Sequence, residues 1–284
     1  MPLNRDPEVR APSPLHLFGR AIGTRLRGVK GVDFLLRLLH NPDCRQTSWV
    51  ETIACAVPRG PQYHLSTRWF TEWTTWFYGS QDADMHRWIL AHARPDWIAF
   101  DVGANFGFYS CILAQQCASA HAFEPVPWLA ERTRANARLN ELHNLFTREI
   151  ALADQIGKAE LNLPAEDDCN WGTSSLVRSS TGRQCPLNVC TDTIDRYVAS
   201  AGLERLDFIK IDVEGAEYLV LKGAAHTLDR YSPTIIFERN DESITACVAM
   251  LRSLGYMLST LRNEPLPNRV DQWPHDLLAS RRLP

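Results

Sequence analysis

The stretch DVGANFG, residues 101–107, decides the fold of this chain. It continues an apolar run at residues 97–102 that predicts a short buried strand, and a helix is expected over residues 107–116. A glycine after a strand lets the backbone approach a ligand, and a second small position lets the helix begin close to it. This order predicts the first unit of a parallel α/β sheet, with a ligand site at the carboxyl end of its first strand.

The rest of the chain from residue 95 onward alternates strands with helices. Further strands are predicted at residues 120–123, 145–152, 208–213, 234–238 and 256–261. Two more, at 158–163 and 187–191, flank a polar loop. Such alternation predicts a doubly wound, mostly parallel sheet, the Rossmann-like α/β class.

An acidic residue at the end of the second strand narrows the choice of ligand. Glu124 lies roughly 20 residues beyond Gly103, where a carboxylate accepts hydrogen bonds from ribose hydroxyls. A dinucleotide fingerprint would need glycine where the chain has Asn105 and Phe108, and a phosphate loop would need Gly-Lys-Ser/Thr. S-adenosylmethionine fits this site, because it has an adenosine, no phosphate and an amino-acid end that can meet the first turn.

Several acidic residues lie at and after the end of the strand predicted at residues 208–213. The stretch IDVEGAE, residues 211–217, places Asp212, Glu214 and Glu217 within a few positions, and Glu238 ends the next strand. Unpaired charges at strand ends are expected where chemistry uses them. We expect Asp212 to orient an acceptor or to act as a general base, whereas Glu217 could equally complement the dipole of the following helix.

The order and spacing of these motifs resemble the FkbM family of S-adenosylmethionine-dependent methyltransferases over about residues 98–258. The segments that carry the resemblance are FDVGANFGFYS (100–110), AFEPVP (122–127), RLN (138–140), IAL (150–152), NWGTSSL (170–176), IKIDVEGAEYLVLKGA (209–224) and IIFE (235–238). The resemblance implies a class I methyltransferase core and methyl transfer, commonly to the hydroxyl of a sugar or natural product. It also places the polar loop that contains Ser174 near the cofactor or the acceptor.

These arguments give two sets of candidate residues. The expected cofactor-binding residues are Asp101, Gly103, Ala104, Asn105, Gly107, Phe108, Glu124, Pro125, Asp154, Ser174 and Asp212. Asp154 is included because it follows the third strand and could reach the adenine amino group. The expected catalytic residues are Asp212, Glu214 and Glu238. Asp212 and Glu238 could also share a divalent cation such as magnesium, which prefers oxygen ligands.

Composition sets limits on location and partners. The chain has 284 residues and a formal net charge of -3, which gives no overall attraction to nucleic acid. The eight cysteines form no CxxC pair, and no secretory signal or apolar run long enough for a membrane span is visible. We therefore expect a cytoplasmic protein without a nucleic-acid partner. No pattern predicts the oligomeric state.

The ends of the chain are less informative. We expect an N-terminal helical and aromatic extension at residues 1–94 that shapes the acceptor site, a methyltransferase core at 95–262 and a C-terminal tail at 263–284. A basic amphipathic pattern at 15–40 indicates either a helix packed on its own domain or peripheral contact with a membrane or partner. In the aromatic stretch at 68–79, Trp69, Trp73 and Trp76 could stack on a sugar or form core.

Three classes of function remain open. The leading hypothesis is an O-methyltransferase with a small-molecule or glycan hydroxyl acceptor. The second is a methyltransferase for nitrogen or for a macromolecule, although the IDVEG stretch stands where N-methyltransferases often carry an asparagine- or aspartate-proline-proline-tyrosine motif. The third is a non-enzymatic glycan- or membrane-associated binding module, which would leave the acidic strand ends unexplained.

Overall fold

The structure is a computed structural model, and it divides into two compact units. The first comprises the described residues within 1–83 together with Pro164, and the second those within 84–163 and 174–281. The residues that the structure describes are 14–26, 32, 51–55, 60–80, 82–164, 176 and 184–281.

The described residues of the first unit form two helices and a pair of antiparallel strands. Its elements are α1 (Pro14–Arg25), β1 (Glu51–Cys55), β2 (Gln62–Ser66) and α2 (Phe70–Tyr78). Trp73 and Trp76 of α2 are each only 2% exposed. Trp73 and Trp76 therefore belong to the core and do not form a sugar-binding surface, because a buried indole cannot stack on a sugar.

The second unit begins within α3 (Ala83–His92) and is built around a seven-stranded sheet. Its first half comprises β3 (Ile98–Val102), α4 (Phe108–Gln116), β4 (Ser119–Phe123), α5 (Pro127–Leu139), β5 (Leu145–Arg148), β6 (Ala151–Leu152) and β7 (Gly157–Pro164). Its second half comprises β8 (Gln184–Asp192), α6 (Ile194–Ser200), β9 (Phe208–Ile211), α7 (Glu217–Lys222), α8 (Ala225–Tyr231), β10 (Thr234–Glu238), α9 (Ile244–Ser253), β11 (Met257–Ser259), a 3₁₀ helix (Val270–Gln272) and β12 (Asp276–Ser280).

The strand order of the large sheet is β11-β12-β10-β9-β3-β4-β5. From β10 to β5 each neighbouring pair is parallel, whereas β12 runs antiparallel to β10 and to β11. Both faces are covered, and β9 is buried along its whole length. The predicted doubly wound α/β fold is confirmed. The order reverses at β3, so the ligand crevice of such a sheet lies at the carboxyl ends of β3 and its neighbours.

The C-terminal segment contributes to the sheet. The sequence predicts no element after residue 262, yet β12 lies between β10 and β11 and every one of its residues is buried. Its short run DLLAS is flanked by polar residues and has no helical or alternating pattern, so only the tertiary structure reveals its position. None of the described helices combines the length and the apolar character needed to span a bilayer.

Candidate active site

The turn between β3 and α4 brings two strand ends into direct backbone contact. Gly103 has φ +79°, and a Cβ atom there would lie 1.8 Å from the carbonyl oxygen of Asp212. Only glycine satisfies both conditions. Asn105 also has a positive φ of 53°, and the carbonyl oxygen of Asn105 accepts a hydrogen bond from Thr133 Oγ1 at 2.8 Å. The turn is therefore fixed between β9 and α5.

Glu124 lies at the end of β4, where the sequence predicts it, and is only 5% exposed. Its Oε2 accepts a hydrogen bond from the backbone N–H of Asn105 at 2.8 Å, and its Oε1 accepts one from Val126 N–H at 3.0 Å. Burial raises the pKa of Glu124 to about 7, although these two donors and the charge of Lys210 act in the opposite direction. Each carboxylate oxygen keeps a second lone pair for a ligand hydroxyl.

Lys210 connects the ends of β3 and β9 and is not among the predicted site residues. Its side chain is 3% exposed, and its Nζ lies 3.2 Å from Asp101 Oδ1 and 3.3 Å from Asp212 Oδ2. Nζ also donates to the carbonyl oxygen of Gly103 at 3.2 Å. Burial alone would lower the pKa of Lys210, but Asp101 and Asp212 together raise it. The signal was present in the sequence, because a lysine inside an apolar strand needs a buried carboxylate partner.

The three predicted catalytic carboxylates converge. One oxygen each of Asp212, Glu214 and Glu238 lies within 4.8 Å of one from each of the others. Glu214 has φ +53°, a left-handed conformation that is uncommon for a non-glycine residue and often occurs at functional sites. Such a cluster of oxygens suits a proton transfer or a hard divalent cation.

Glu217 has a structural position instead. It is fully buried, its Oε1 accepts the backbone N–H of Gly215 at 2.9 Å, and its Oε2 accepts from Ser243 Oγ at 3.1 Å. Burial raises its pKa. Its carboxylate therefore ties the turn after β9 to the start of α9.

Glu238 has a partner that the sequence did not reveal. The Nε2 of His275 lies 3.0 Å from Glu238 Oε1. The other oxygen, Oε2, is buried and has no hydrogen-bond partner among the residues that the structure describes. A buried oxygen without a donor is unfavourable, so this position suits a hydrogen-bond donor or a cation supplied from outside the described residues.

The remaining predicted cofactor residues differ in position. Ala104, Gly107 and Pro125 lie in the turns after β3 and β4, whereas the side chain of Phe108 is only 2% exposed and packs in the core. Asp154 follows β6 and pairs with Lys222 through one oxygen at 2.7 Å. Ser174 lies outside the described residues.

The site fits an adenosyl cofactor without phosphate groups. Glu124 offers acceptor oxygens at the end of β4, and the Gly103 turn brings backbone to the switch point of the sheet. The sheet order, the glycine turn and the acidic strand end define a class I methyltransferase, an enzyme that uses S-adenosylmethionine.

Comparison with known proteins identifies the family. Residues 101–258, more than half of the chain, match the model described as Methyltransferase FkbM domain, and the protein belongs to this family. It is 29% identical over 185 residues to the 2-O-methyltransferase NoeI of Sinorhizobium fredii, covering 60% of this chain and 74% of NoeI. It is 26% identical over 158 residues to the hexuronic acid methyltransferase AglP of Haloferax volcanii, covering 55% of this chain and 61% of AglP.

A solved structure is also similar. The methyltransferase FkbM from Methylobacillus flagellatus has a TM-score of 0.45 and 15% identity, and the match covers 66% of this chain and 44% of that one.

Proposed function

We propose that the protein transfers a methyl group from S-adenosylmethionine to a hydroxyl group of a sugar or a small natural product. The observation that carries the proposal is the cluster of Asp212, Glu214 and Glu238 beside the turn at residues 103–107. The names of the two relatives, a 2-O-methyltransferase and a hexuronic acid methyltransferase, support a carbohydrate acceptor.

Residues at the ends of several strands are proposed to bind different parts of the cofactor. Glu124 accepts hydrogen bonds from the ribose hydroxyls, and the backbone of residues 103–107 meets the amino-acid end. Asp154 keeps one oxygen clear of the pair with Lys222 and takes the adenine amino group. When bound, the cofactor supplies a methyl group on a positively charged sulfur.

The acidic cluster is proposed to bind the acceptor and to take the proton from its hydroxyl group. An alcohol becomes a better nucleophile as it loses its proton, so a positioned base raises the rate. We assign this role to Asp212, whose side chain is 39% exposed and whose Oδ2 is held by Lys210. Glu214 and Glu238 then bind neighbouring hydroxyls of the acceptor and hold the reacting oxygen in line.

The same cluster can hold a divalent cation. Carboxylate oxygens are the ligands that magnesium prefers. A cation would also provide a partner for the buried Oε2 of Glu238, which has none among the residues that the structure describes. A bound cation would lower the pKa of a coordinated hydroxyl and relieve the repulsion among the three carboxylates.

An acceptor screen tests the proposal. The protein is incubated with S-adenosylmethionine carrying a labelled methyl group and with methyl glucoside, methyl glucuronoside, a polyphenol and a short peptide. Labelled methyl ether on a sugar or polyphenol supports the proposal, whereas label on the peptide nitrogen or on none of the acceptors contradicts it.

A variant pair links the activity to the cluster. Asp212→Asn is expected to lower kcat by about 100-fold or more, the usual contribution of a general base. Glu204→Gln removes an exposed carboxylate outside the cluster and should leave kcat unchanged. Equal kinetics in both variants would remove Asp212 from the reaction.

A further inference from the structure

The antiparallel pairing of β10 with β12 places His275 at the acidic cluster. Glu238 pairs with Asp276 in the register of the two strands, and the backbone N–H of Arg239 donates to the carbonyl oxygen of His275 at 2.7 Å. The position of His275 is therefore set by backbone hydrogen bonds and not by its own side chain. A substitution of the imidazole leaves this pairing in place.

The imidazole lies between two carboxylates. Its Nε2 is 3.0 Å from Glu238 Oε1, and its Nδ1 is 3.6 Å from Asp276 Oδ1. Asp276 is buried, whereas the side chain of His275 is 71% exposed. A carboxylate oxygen accepts hydrogen bonds, so the ring nitrogen at hydrogen-bond distance from Glu238 Oε1 is the one that carries a proton. Nε2 then acts as a donor toward Glu238.

The neighbouring cation has other partners. The guanidinium of Arg239 donates from Nη1 to the carbonyl oxygen of Val270 at 2.8 Å and lies 3.6 Å from Asp241. Among the described contacts of Glu238, that with His275 is the one to a side-chain nitrogen. The geometry of this carboxylate thus depends on the imidazole.

We infer that His275 is a positioning residue for methyl transfer: it donates from Nε2 to Oε1 of Glu238 and so holds this carboxylate in the orientation that serves the acceptor. This inference rests on the proposed function, because it assigns a task within the same acidic cluster. It also gives the strand β12 a direct part in the site.

Packing does not account for the contact. The side chain of His275 is 71% exposed and buries little apolar surface, so its packing contributes little to folding stability. We therefore expect loss of the contact to be seen in catalysis more than in folding. Loss of the donor would let the Glu238 carboxylate rotate, and misplacement of a group that positions substrate lowers kcat more than it changes cofactor binding.

Two substitutions at one position separate these roles. His275→Leu keeps a branched side chain but removes the donor, whereas His275→Gln keeps an amide N–H near the place of Nε2. His226→Gln is the matched control, since His226 is an exposed histidine on α8. Each variant is assayed with methyl glucoside and methyl glucuronoside, and S-adenosylhomocysteine binding and thermal unfolding are measured alongside.

The expected result is a selective loss. His275→Leu should lower kcat about tenfold or more, His275→Gln should retain kcat within about threefold, and His226→Gln should match the wild type. Cofactor affinity and Tm should be unchanged in all three.

Three outcomes would overturn the inference. They are wild-type kinetics in His275→Leu, equal losses in the leucine and glutamine variants, and a loss of kcat that only parallels a lower Tm. If the wild type methylates neither sugar, the proposed carbohydrate activity fails and this inference fails with it. An active wild type with an unaffected leucine variant contradicts the role of His275 alone.

Discussion

The Nζ of Lys210 lies 3.3 Å from Oδ2 of Asp212 and is almost completely buried. Because Lys210 also pairs with Asp101, Lys210→Met would leave a buried carboxylate without its cation. We expect the variant to lose about 3–5 kcal/mol of unfolding free energy, which urea unfolding would measure. Adding Asp101→Asn should recover part of the loss, because the two positions act as one pair.

A matched control for this prediction is Lys222→Met. Lys222 pairs with Asp154 at 2.7 Å, but its side chain is half exposed. Its unfolding midpoint should therefore stay close to that of the wild type. Similar losses in the two variants would mean that the burial of Lys210 does not determine the effect.

The raised pKa of Glu124 predicts a pH-dependent affinity for the cofactor. Burial raises the pKa of Glu124 to about 7, so the carboxyl group keeps its proton at lower pH. Ribose hydroxyls donate to the ionised carboxylate, so cofactor binding favours loss of that proton. Affinity for S-adenosylhomocysteine should thus rise as the pH rises. Between pH 6 and pH 8 we expect about a tenfold increase in calorimetric titrations.

Glu124→Gln tests the origin of that pH dependence. The amide cannot ionise, so its affinity should be weaker than that of the wild type and nearly constant over the same range. A wild-type profile that is flat, or a glutamine profile that rises equally, would contradict the assignment of Glu124 to the ribose.

The close approach of Gly103 to Asp212 predicts a severe effect of one methyl group. Gly103→Ala would place Cβ 1.8 Å from a backbone oxygen, which no change of side-chain rotamer can relieve. We expect loss of detectable S-adenosylhomocysteine binding. Gly202 has the same type of left-handed backbone, but no atom of the described residues lies within 4 Å of the place that a Cβ atom would take, so Gly202→Ala should lose only about 1–2 kcal/mol of stability and keep its affinity.

The acidic cluster predicts a response to metal removal. If Asp212, Glu214 and Glu238 hold a cation, exhaustive chelation should abolish methyl transfer and added magnesium should restore it. Calcium, which is larger, should restore less. Full activity after chelation would leave the carboxylates as proton acceptors and hydrogen-bond partners only.

The cofactor end of the sheet was accessible from sequence because its constraints are local. Gly103 is required by a positive φ and a close backbone contact, and Glu124 stands at a fixed distance from it along the chain. The convergence of Asp212 with Glu238 also followed from sequence, since neighbouring parallel strands end at the same edge.

The remainder depended on contacts between distant segments. His275 reaches Glu238 only because β12 enters the sheet antiparallel, and the residues around it show no periodic pattern. The burial of Trp73 and Trp76 likewise depends on packing, which the sequence left open between a core and a sugar platform. Ser174 and the role of residues 1–94 in acceptor choice stay predictions.

The place of β12 between β10 and β11 has a consequence for biosynthesis. Both neighbours are made before it, so the growing chain carries two strand edges that cannot meet their partner until residues 276–280 have been synthesised. Unpaired edges promote aggregation, and contacts so far apart in sequence form slowly. A chain truncated before residue 275 would thus have a gap in its sheet and a Glu238 without its histidine, which should attract chaperones or proteases.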